Sequence, residues 1–118
     1  MSHVKIKRYE RDVNITLHTT TSLATTIRLD DMAGGVVSMG TVSTNATSLQ
    51  MWGSNASDSE FRQVYKSDGS ALAITLAPSS TVGRIYSLPD EVYGLSFLKI
   101  VSATTNSTGT VAVVSLKS

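Results

Sequence analysis

Apolar and polar residues alternate along most of the chain, which is the period-2 pattern of strands that bury one face. The clearest case is residues 13–18, where Val, Ile and Leu occupy every second position. Similar runs recur at short intervals, and segments rich in Gly, Ser, Asn and Asp separate them. The pattern predicts nine short strands, at residues 13–18, 23–29, 36–42, 49–52, 61–65, 71–76, 84–88, 97–101 and 110–116.

Two connections carry recognisable turn chemistry. Asp68-Gly69 lies between the fifth and sixth predicted strands and is a strong hairpin dipeptide. The segment from Pro89 to Gly94 has Pro at the first helical position and acidic residues in the first turn. It predicts one short helical turn near 89–94 that carries the chain from strand seven to strand eight, crossing between sheets. The predicted fold class is therefore all-β, an antiparallel β-sandwich or jelly roll of about 8–9 short strands.

Composition narrows the class of protein further. A chain of 118 residues is expected to form one domain with a single core. Because cysteine is absent, neither disulfides nor thiolate metal sites hold the fold. The charged start has no apolar signal-peptide core, and no apolar run is long enough to span a membrane, so we expect neither a secretory signal nor a membrane segment.

Charge is concentrated at the N-terminus. Residues 1–12 contain four cations against two acids and carry a net charge of +2, whereas the whole chain carries +1. We interpret residues 1–12 as a charged N-terminal arm and residues 13–118 as the β-sandwich domain. Such an arm could contact nucleic acid or an acidic protein surface, or it could be a solvated chain end.

The residues typical of catalytic and metal sites are sparse. His3 and His18 have no His, Asp or Glu at ligand spacing, and no serine lies in a Gly-x-Ser-x-Gly elbow. We therefore expect no enzyme activity, no catalytic or metal-binding residues and no cofactor. Asp58, Glu60 and Asp68 lie near two loops and could supply oxygen ligands to calcium, although nothing resembles a twelve-residue calcium loop.

Six of the seven aromatic residues lie in or near the predicted strands and are large enough to build a sandwich core, and a core role is expected for most of them. Trp52 is the exception. Leu49 and Met51 alternate inward, which turns Trp52 to the opposite face, where a large aromatic side chain marks a contact surface. The six residues are Trp52, Phe61, Tyr65, Tyr86, Tyr93 and Phe97.

Residues 48–118 resemble small virion proteins of tailed bacteriophages. The matching features are Phe-x-x-Val-Tyr, the Asp-Gly hairpin, Arg-x-Tyr-x-Leu-Pro, a short turn ending in Gly, and a Phe-Leu-Lys-Ile strand. The resemblance implies a β-sandwich similar to jelly rolls or galactose-binding-like domains. The sequence departs from the pattern at residues 53–60, where relatives often carry Asp-Gly, so loop-borne ligand contacts transfer poorly.

The resemblance implies a structural virion protein, made in the host bacterial cytoplasm and located in the virion. We expect a capsid decoration (cement) protein that binds the outer surface of the head and stabilises contacts between major capsid subunits. Its partners would be the major capsid protein and copies of itself, as a homo-oligomer such as a trimer, with neither nucleic acid nor membrane. The alternatives are a tail or receptor-binding module that recognises carbohydrate, and a tail-completion or head–tail joining protein. The expected partner-binding residues are Lys5, Ile6, Lys7, Arg8, Tyr9, Arg11 and Trp52.

Overall fold

The structure is a computed structural model that describes residues 10–43, 45–55, 60–104 and 109–118. Almost all of its regular elements are strands, as predicted, and one 3-10 turn at Asp90–Gly94 is the exception among the described residues. The strands are β1 (Glu10–Thr16), β2 (Ile27–Arg28), β3 (Gly34–Met39), β4 (Ser48–Ser54), β5 (Arg62–Gln63), β6 (Ala73–Thr75), β7 (Arg84–Ser87), β8 (Phe97–Ser102) and β9 (Val111–Lys117).

The strands form two antiparallel sheets. The four-stranded sheet has the order β1-β9-β3-β7, and the five-stranded sheet has the order β2-β8-β4-β5, with β6 also paired to β4. Because β5 and β6 pair with opposite ends of the same side of β4, they act as one interrupted strand. The chain then has eight strand positions in the orders 1-8-3-6 and 2-7-4-5, which is jelly-roll topology.

A hairpin causes the interruption between β5 and β6. Tyr65 pairs with Ala71, and the backbone N–H of Lys66 donates to the carbonyl of Ser70 at 2.8 Å. Gly69 has a φ of 89°, a conformation that glycine adopts without a side-chain clash. The predicted Asp-Gly hairpin is therefore present, and it projects from the edge of the five-stranded sheet.

The core between the sheets is aliphatic. Within the described ranges its buried side chains include no Trp, Phe or Tyr, although Tyr86 and Tyr93 pack against it. The expectation that most aromatic residues build the core is therefore wrong, because the inward positions of the long strands are taken by aliphatic residues. Its largest fully buried members are Leu17, Ile27, Val37, Leu49, Met51, Leu72, Val92, Leu98, Val114 and Leu116.

The turn at Asp90–Gly94 carries the chain from the four-stranded to the five-stranded sheet, as predicted. Pro89 precedes it in an extended conformation, and Val92 is completely buried in the core. Within the turn, Val92 donates its backbone N–H to the carbonyl of Pro89 at 3.2 Å. The buried Val92 side chain anchors the crossing, which gives this segment an architectural role.

Three local features differ from the sequence predictions. The second strand shrinks to β2, and Leu23 is 64% exposed instead of facing the core with Ile27. The left-handed turn residue before β3 is Asp31, with a φ of 65°, while Gly34 and Gly35 belong to the strand itself. In addition, β1 begins at Glu10, so the last three residues of the predicted 1–12 arm lie in the sheet; residues 1–9 lie outside the described residues.

Candidate binding surfaces

The structure describes one of the six predicted arm contacts, Arg11. This residue lies on β1 with its side chain toward the other sheet, and its Nη1 donates to the backbone carbonyl of Arg28 at 2.8 Å. Arg28 in turn pairs with Asp30 at 2.8 Å. Arg11 therefore has an intramolecular partner that links the two sheets. The other five, Lys5, Ile6, Lys7, Arg8 and Tyr9, lie outside the described residues.

Trp52 lies on the outer face of the five-stranded sheet, as the alternation along β4 predicts. It is directly opposite Lys99 of β8 and Gln63 of β5, and paired residues share one face of a sheet. Its side chain is half-buried, and the indole Nε1 is shielded from solvent without a hydrogen-bond partner among the described residues. Trp52 is thus placed on the expected face, but its polar atom is not displayed to a ligand.

Other parts of the chain cover this region of the outer face. The Nζ of Lys99 donates to the carbonyl of Thr21 at 2.9 Å and lies 4.6 Å from the ring centroid of Phe61, a cation–π distance. Val101 and Ala24 are buried yet do not belong to the core cluster. We infer that the segment leading into β2 packs over β8 and leaves little of the surface around Trp52 open.

The outer face of the four-stranded sheet carries four aliphatic side chains, and two of them are among the most exposed large hydrophobic residues that the structure describes. It comprises the outward positions of β1, β9, β3 and β7, and three of these thirteen positions are charged. Ile85 and Val111 are 67% and 61% exposed, and the half-buried Val113 lies beside Val111 on β9, with Ser38 between Val113 and Ile85. Val36, which is also half-buried, lies on β3 nearer the charged end of the face. The three charged residues, Glu10, Asp12 and Lys117, all lie at the end of the sheet where β1 begins.

This face was absent from the sequence predictions, although a signal for it exists. Residues 111–114 are apolar at four consecutive positions, so β9 has apolar side chains on both faces. Alternation alone shows which positions can share a face. It leaves open whether another element covers the second apolar face, and here Ile85 and Val111 stay exposed among the described residues.

The charged end of the same face holds a shallow depression of about 510 Å³. It forms beside Gly34, whose missing side chain would point into open space. Glu10 and Lys117 flank it and approach each other at 3.6 Å, an exposed ion pair of small energetic value. The depression is open to solvent and is part of the outer face.

Two titratable groups depart from their ordinary behaviour. The hydroxyl and backbone N–H of Ser70 donate to the Asp68 carboxylate at 2.6 and 2.9 Å and lower the pKa of Asp68. Burial, followed by the nearby Asp90 carboxylate, raises the pKa of Tyr93. The Tyr93 hydroxyl is shielded from solvent and has no hydrogen-bond partner among the described residues.

Within the described ranges, no three His, Asp or Glu side chains are close enough together to hold a metal ion. His18 contributes its backbone carbonyl, which accepts from the N–H of Ser102 at 2.8 Å. The one described helical element is far too short to cross a membrane. Of the proposed calcium ligands, Glu60 is exposed, Asp68 bonds Ser70, and Asp58 lies outside the described residues.

Comparison with protein-family models, with curated proteins and with solved structures returns no match for this chain.

Proposed function

We propose that the chain is a structural protein of a tailed-bacteriophage virion, and more narrowly a capsid decoration protein on the outer surface of the head. The observation that carries the proposal is the outer face of the four-stranded sheet, where Ile85 and Val111 are exposed among mostly uncharged neighbours. Jelly rolls occur in viral capsid proteins, and in lectins and cupins as well, so this fold adds support by analogy alone. The resemblance of residues 48–118 supplies the virion context.

The size of this face suits a repeated weak contact. Four strands spaced about 4.8 Å apart, each rising about 3.4 Å per residue over seven residues or fewer, present about 400 Å². Stable one-to-one complexes bury about 800 Å² on each partner, so one such contact is weak by itself. When linked copies bind a symmetric shell together, their contacts add through a high effective concentration. A decoration protein works under these conditions.

The occupant that we propose for the face is a flat, largely uncharged patch of the major capsid protein. The test measures binding of the purified chain to capsids that lack it. It compares the unmodified chain with the double variant Ile85→Lys/Val111→Lys. Each lysine adds a charge that would have to be desolvated against an apolar partner, so we expect at least a tenfold loss of binding. The matched control is Leu23→Lys/Val82→Lys, which changes two residues of similar exposure, 64% and 58%, outside this face.

Cryo-electron microscopy of the intact particle tests the location. Density at regular lattice positions, with the outer face of the four-stranded sheet against the shell, is the expected result. Density restricted to the tail or to one vertex would contradict the decoration role. It would favour a tail-completion or head–tail joining protein, or a tail module.

A carbohydrate-recognition module is the second candidate, and one observation favours it. Tyr65 is 59% exposed on the hairpin, and the amide side chains of Gln50 and Gln63 lie on the same outer face of the five-stranded sheet. Aromatic rings beside amides are suited to stack on and hydrogen-bond to sugars. Trp52 and Tyr93 contribute less, because their polar atoms are shielded. Glycan binding that is lost in Tyr65→Ala and kept in Ile85→Lys would support this candidate over the first.

A further inference from the structure

The first strand presents an open edge. β1 pairs with β9 along all seven of its residues, and no described strand pairs with its other edge. Every second residue of an edge strand directs its N–H and C=O outward, which makes the strand a template for an added strand. At about 3.4 Å per residue, the edge of β1 is about 23 Å long.

The two faces of this edge differ in chemistry. Glu10 and Asp12 are exposed on the outer face, so two negative charges lie one strand repeat apart. Arg11 and Val13 point toward the inner side, where Val13 is half-buried and packs against the core cluster. A strand that complements β1 therefore needs cations at alternate positions on one face and, on the other, an apolar residue opposite Val13.

The chain itself contains such a sequence in Val4-Lys5-Ile6-Lys7, which lies outside the described residues. We propose that β1 accepts residues 4–7 of a second copy of the chain as an added antiparallel strand. The register is set by charge: Lys5 lies opposite Asp12 and Lys7 opposite Glu10.

The same register brings apolar groups together on the inner face. Val4 then lies opposite Val13, and Ile6 lies along the side-chain stem of Arg11. One alignment thus gives two opposed charge pairs on the outer face and one aliphatic pair on the inner face. Opposed charges and opposed aliphatic residues are the pairs that stabilise neighbouring strands.

A second copy of the chain is the better donor of the added strand, because donation within one chain would require an unfavourable tight turn. Residues 4–7 could pair with residues 10–13 of their own chain only through a two-residue loop at Arg8-Tyr9. Such loops need positive φ angles and favour Gly, Asn and Asp, whereas Arg and Tyr are poorly suited to them. Donation to a neighbouring copy avoids this turn.

The inference goes beyond the proposed function and does not depend on it, because it concerns copies of the chain in solution. Strand exchange between copies would link them into an oligomer. The weak contacts of the linked copies with a shell would then add together. Failure of the capsid-binding assay with an intact oligomer would count against the virion role alone.

The experiment is a charge-swap test on the full chain by analytical ultracentrifugation over a concentration series. One variant, K5E/K7E, places acids opposite the acids of β1, and the other, E10K/D12K, places cations opposite the cations of residues 4–7. We expect the unmodified chain to associate and each variant alone to associate about tenfold or more weakly, because two attractive pairs become repulsive. Mixing the two variants restores both opposed pairs, so the mixture should associate as the unmodified chain does.

Matched controls separate this from a general effect of charge. R62E/K66E and E60K/E91K make the same changes in net charge at exposed positions away from β1, and they should associate normally. Circular dichroism melting curves establish that every variant is folded. A monomeric unmodified chain, normal association of either swap variant alone, or a mixture that stays monomeric would each overturn the proposal.

Discussion

Arg11 and Arg28 join the two sheets of the sandwich. The guanidinium of Arg11, on the edge strand of the four-stranded sheet, donates to the backbone carbonyl of Arg28 in the five-stranded sheet at 2.8 Å. Arg28 uses its own guanidinium to hold the Asp30 carboxylate. The open side of the sandwich is therefore bridged by a charged hydrogen bond at the place where β1 begins.

Replacing Arg11 tests whether this bridge contributes to stability. Arg11→Ala removes the donor to the Arg28 carbonyl, and we expect the free energy of unfolding to fall by about 1 kcal/mol, the typical net value of a hydrogen bond, because this bond is exposed to solvent. Urea denaturation measures the change. Arg84→Ala, which removes an exposed arginine from the opposite edge strand of the same sheet, should change stability by less than about 0.5 kcal/mol. Equal losses in the two variants would argue against a special role for the bridge.

Two adjacent glycines in β3 offer a matched pair of substitutions. A Cβ at Gly35 would lie 2.8 Å from both the Leu116 side chain and the Ser115 carbonyl, whereas a Cβ at Gly34 would meet nothing within 4 Å. Because the Ser115 backbone cannot move aside, Gly35→Ala should destabilise the fold by about 1–3 kcal/mol. Gly34→Ala should be neutral or stabilising by up to about 1 kcal/mol, since it restricts the unfolded chain. Thermal and urea unfolding of both variants measure the difference, and similar effects would contradict the packing seen at Gly35.

The raised pKa of Tyr93 predicts that the folded chain loses stability in alkali. The raised pKa means that ionisation of Tyr93 costs more in the folded than in the unfolded chain. This group's contribution is therefore fully present below about pH 10, the ordinary tyrosine pKa, and is lost as pH rises through the higher folded-state pKa. Tyr93→Phe should flatten the decline in unfolding free energy between pH 9 and pH 11. At neutral pH it should also stabilise by about 1 kcal/mol, because the shielded hydroxyl lacks a partner.

The control for this experiment is Tyr65→Phe. Tyr65 is 59% exposed, so its removal should leave the alkaline decline as steep as in the unmodified chain. An unchanged decline in Tyr93→Phe would assign the alkaline loss to other groups.

The lowered pKa of Asp68 predicts a loss of stability in acid, whereas the raised pKa of Tyr93 predicts one in alkali. The Asp68 pKa lies below the ordinary 3.8 because Ser70 donates two hydrogen bonds to the ionised carboxylate. The support that this carboxylate gives to the hairpin is present above the ordinary pKa and is lost as pH falls through the lowered folded-state value. Ser70→Ala should move the pKa of Asp68 back toward 3.8, measured by NMR titration of the carboxyl carbon. An Asp68 pKa unchanged by Ser70→Ala would show that the hydroxyl is not its main perturbing group.

The sequence predicts much of the fold because its signals are local. Alternation sets the face of each residue once a strand forms, which is why the orientation of Trp52 could be predicted from Leu49 and Met51. Asp68-Gly69 specifies its hairpin locally, in part through the positive φ of Gly69. Pro89 marks the start of the helical turn locally as well, although it precedes the turn in an extended conformation, whereas the sequence predicts it at the first helical position. Such features depend on a few neighbouring residues and require no knowledge of the rest of the chain.

The candidate surfaces depend on long-range pairing, which alternation does not encode. The bond from Lys99, the residue opposite Trp52, to the Thr21 carbonyl depends on a segment that returns over β8. That Arg11 bridges the sheets, instead of extending into solvent, follows from the position of Arg28 across the sandwich. Residues 17 positions or more apart in the chain meet in both cases, so local pattern could not reveal either contact.

By itself, the sequence determined the all-β class, the approximate strands, the hairpin and the crossing turn, because backbone preferences and side-chain periodicity act over a few residues. The tertiary structure decided the jelly-roll strand order, the aliphatic core and the open outer face around Ile85 and Val111. It also decided which edge of β1 has no described strand beside it. These features arise from which strands pair and which faces are covered, and that choice is made by packing the whole chain at once.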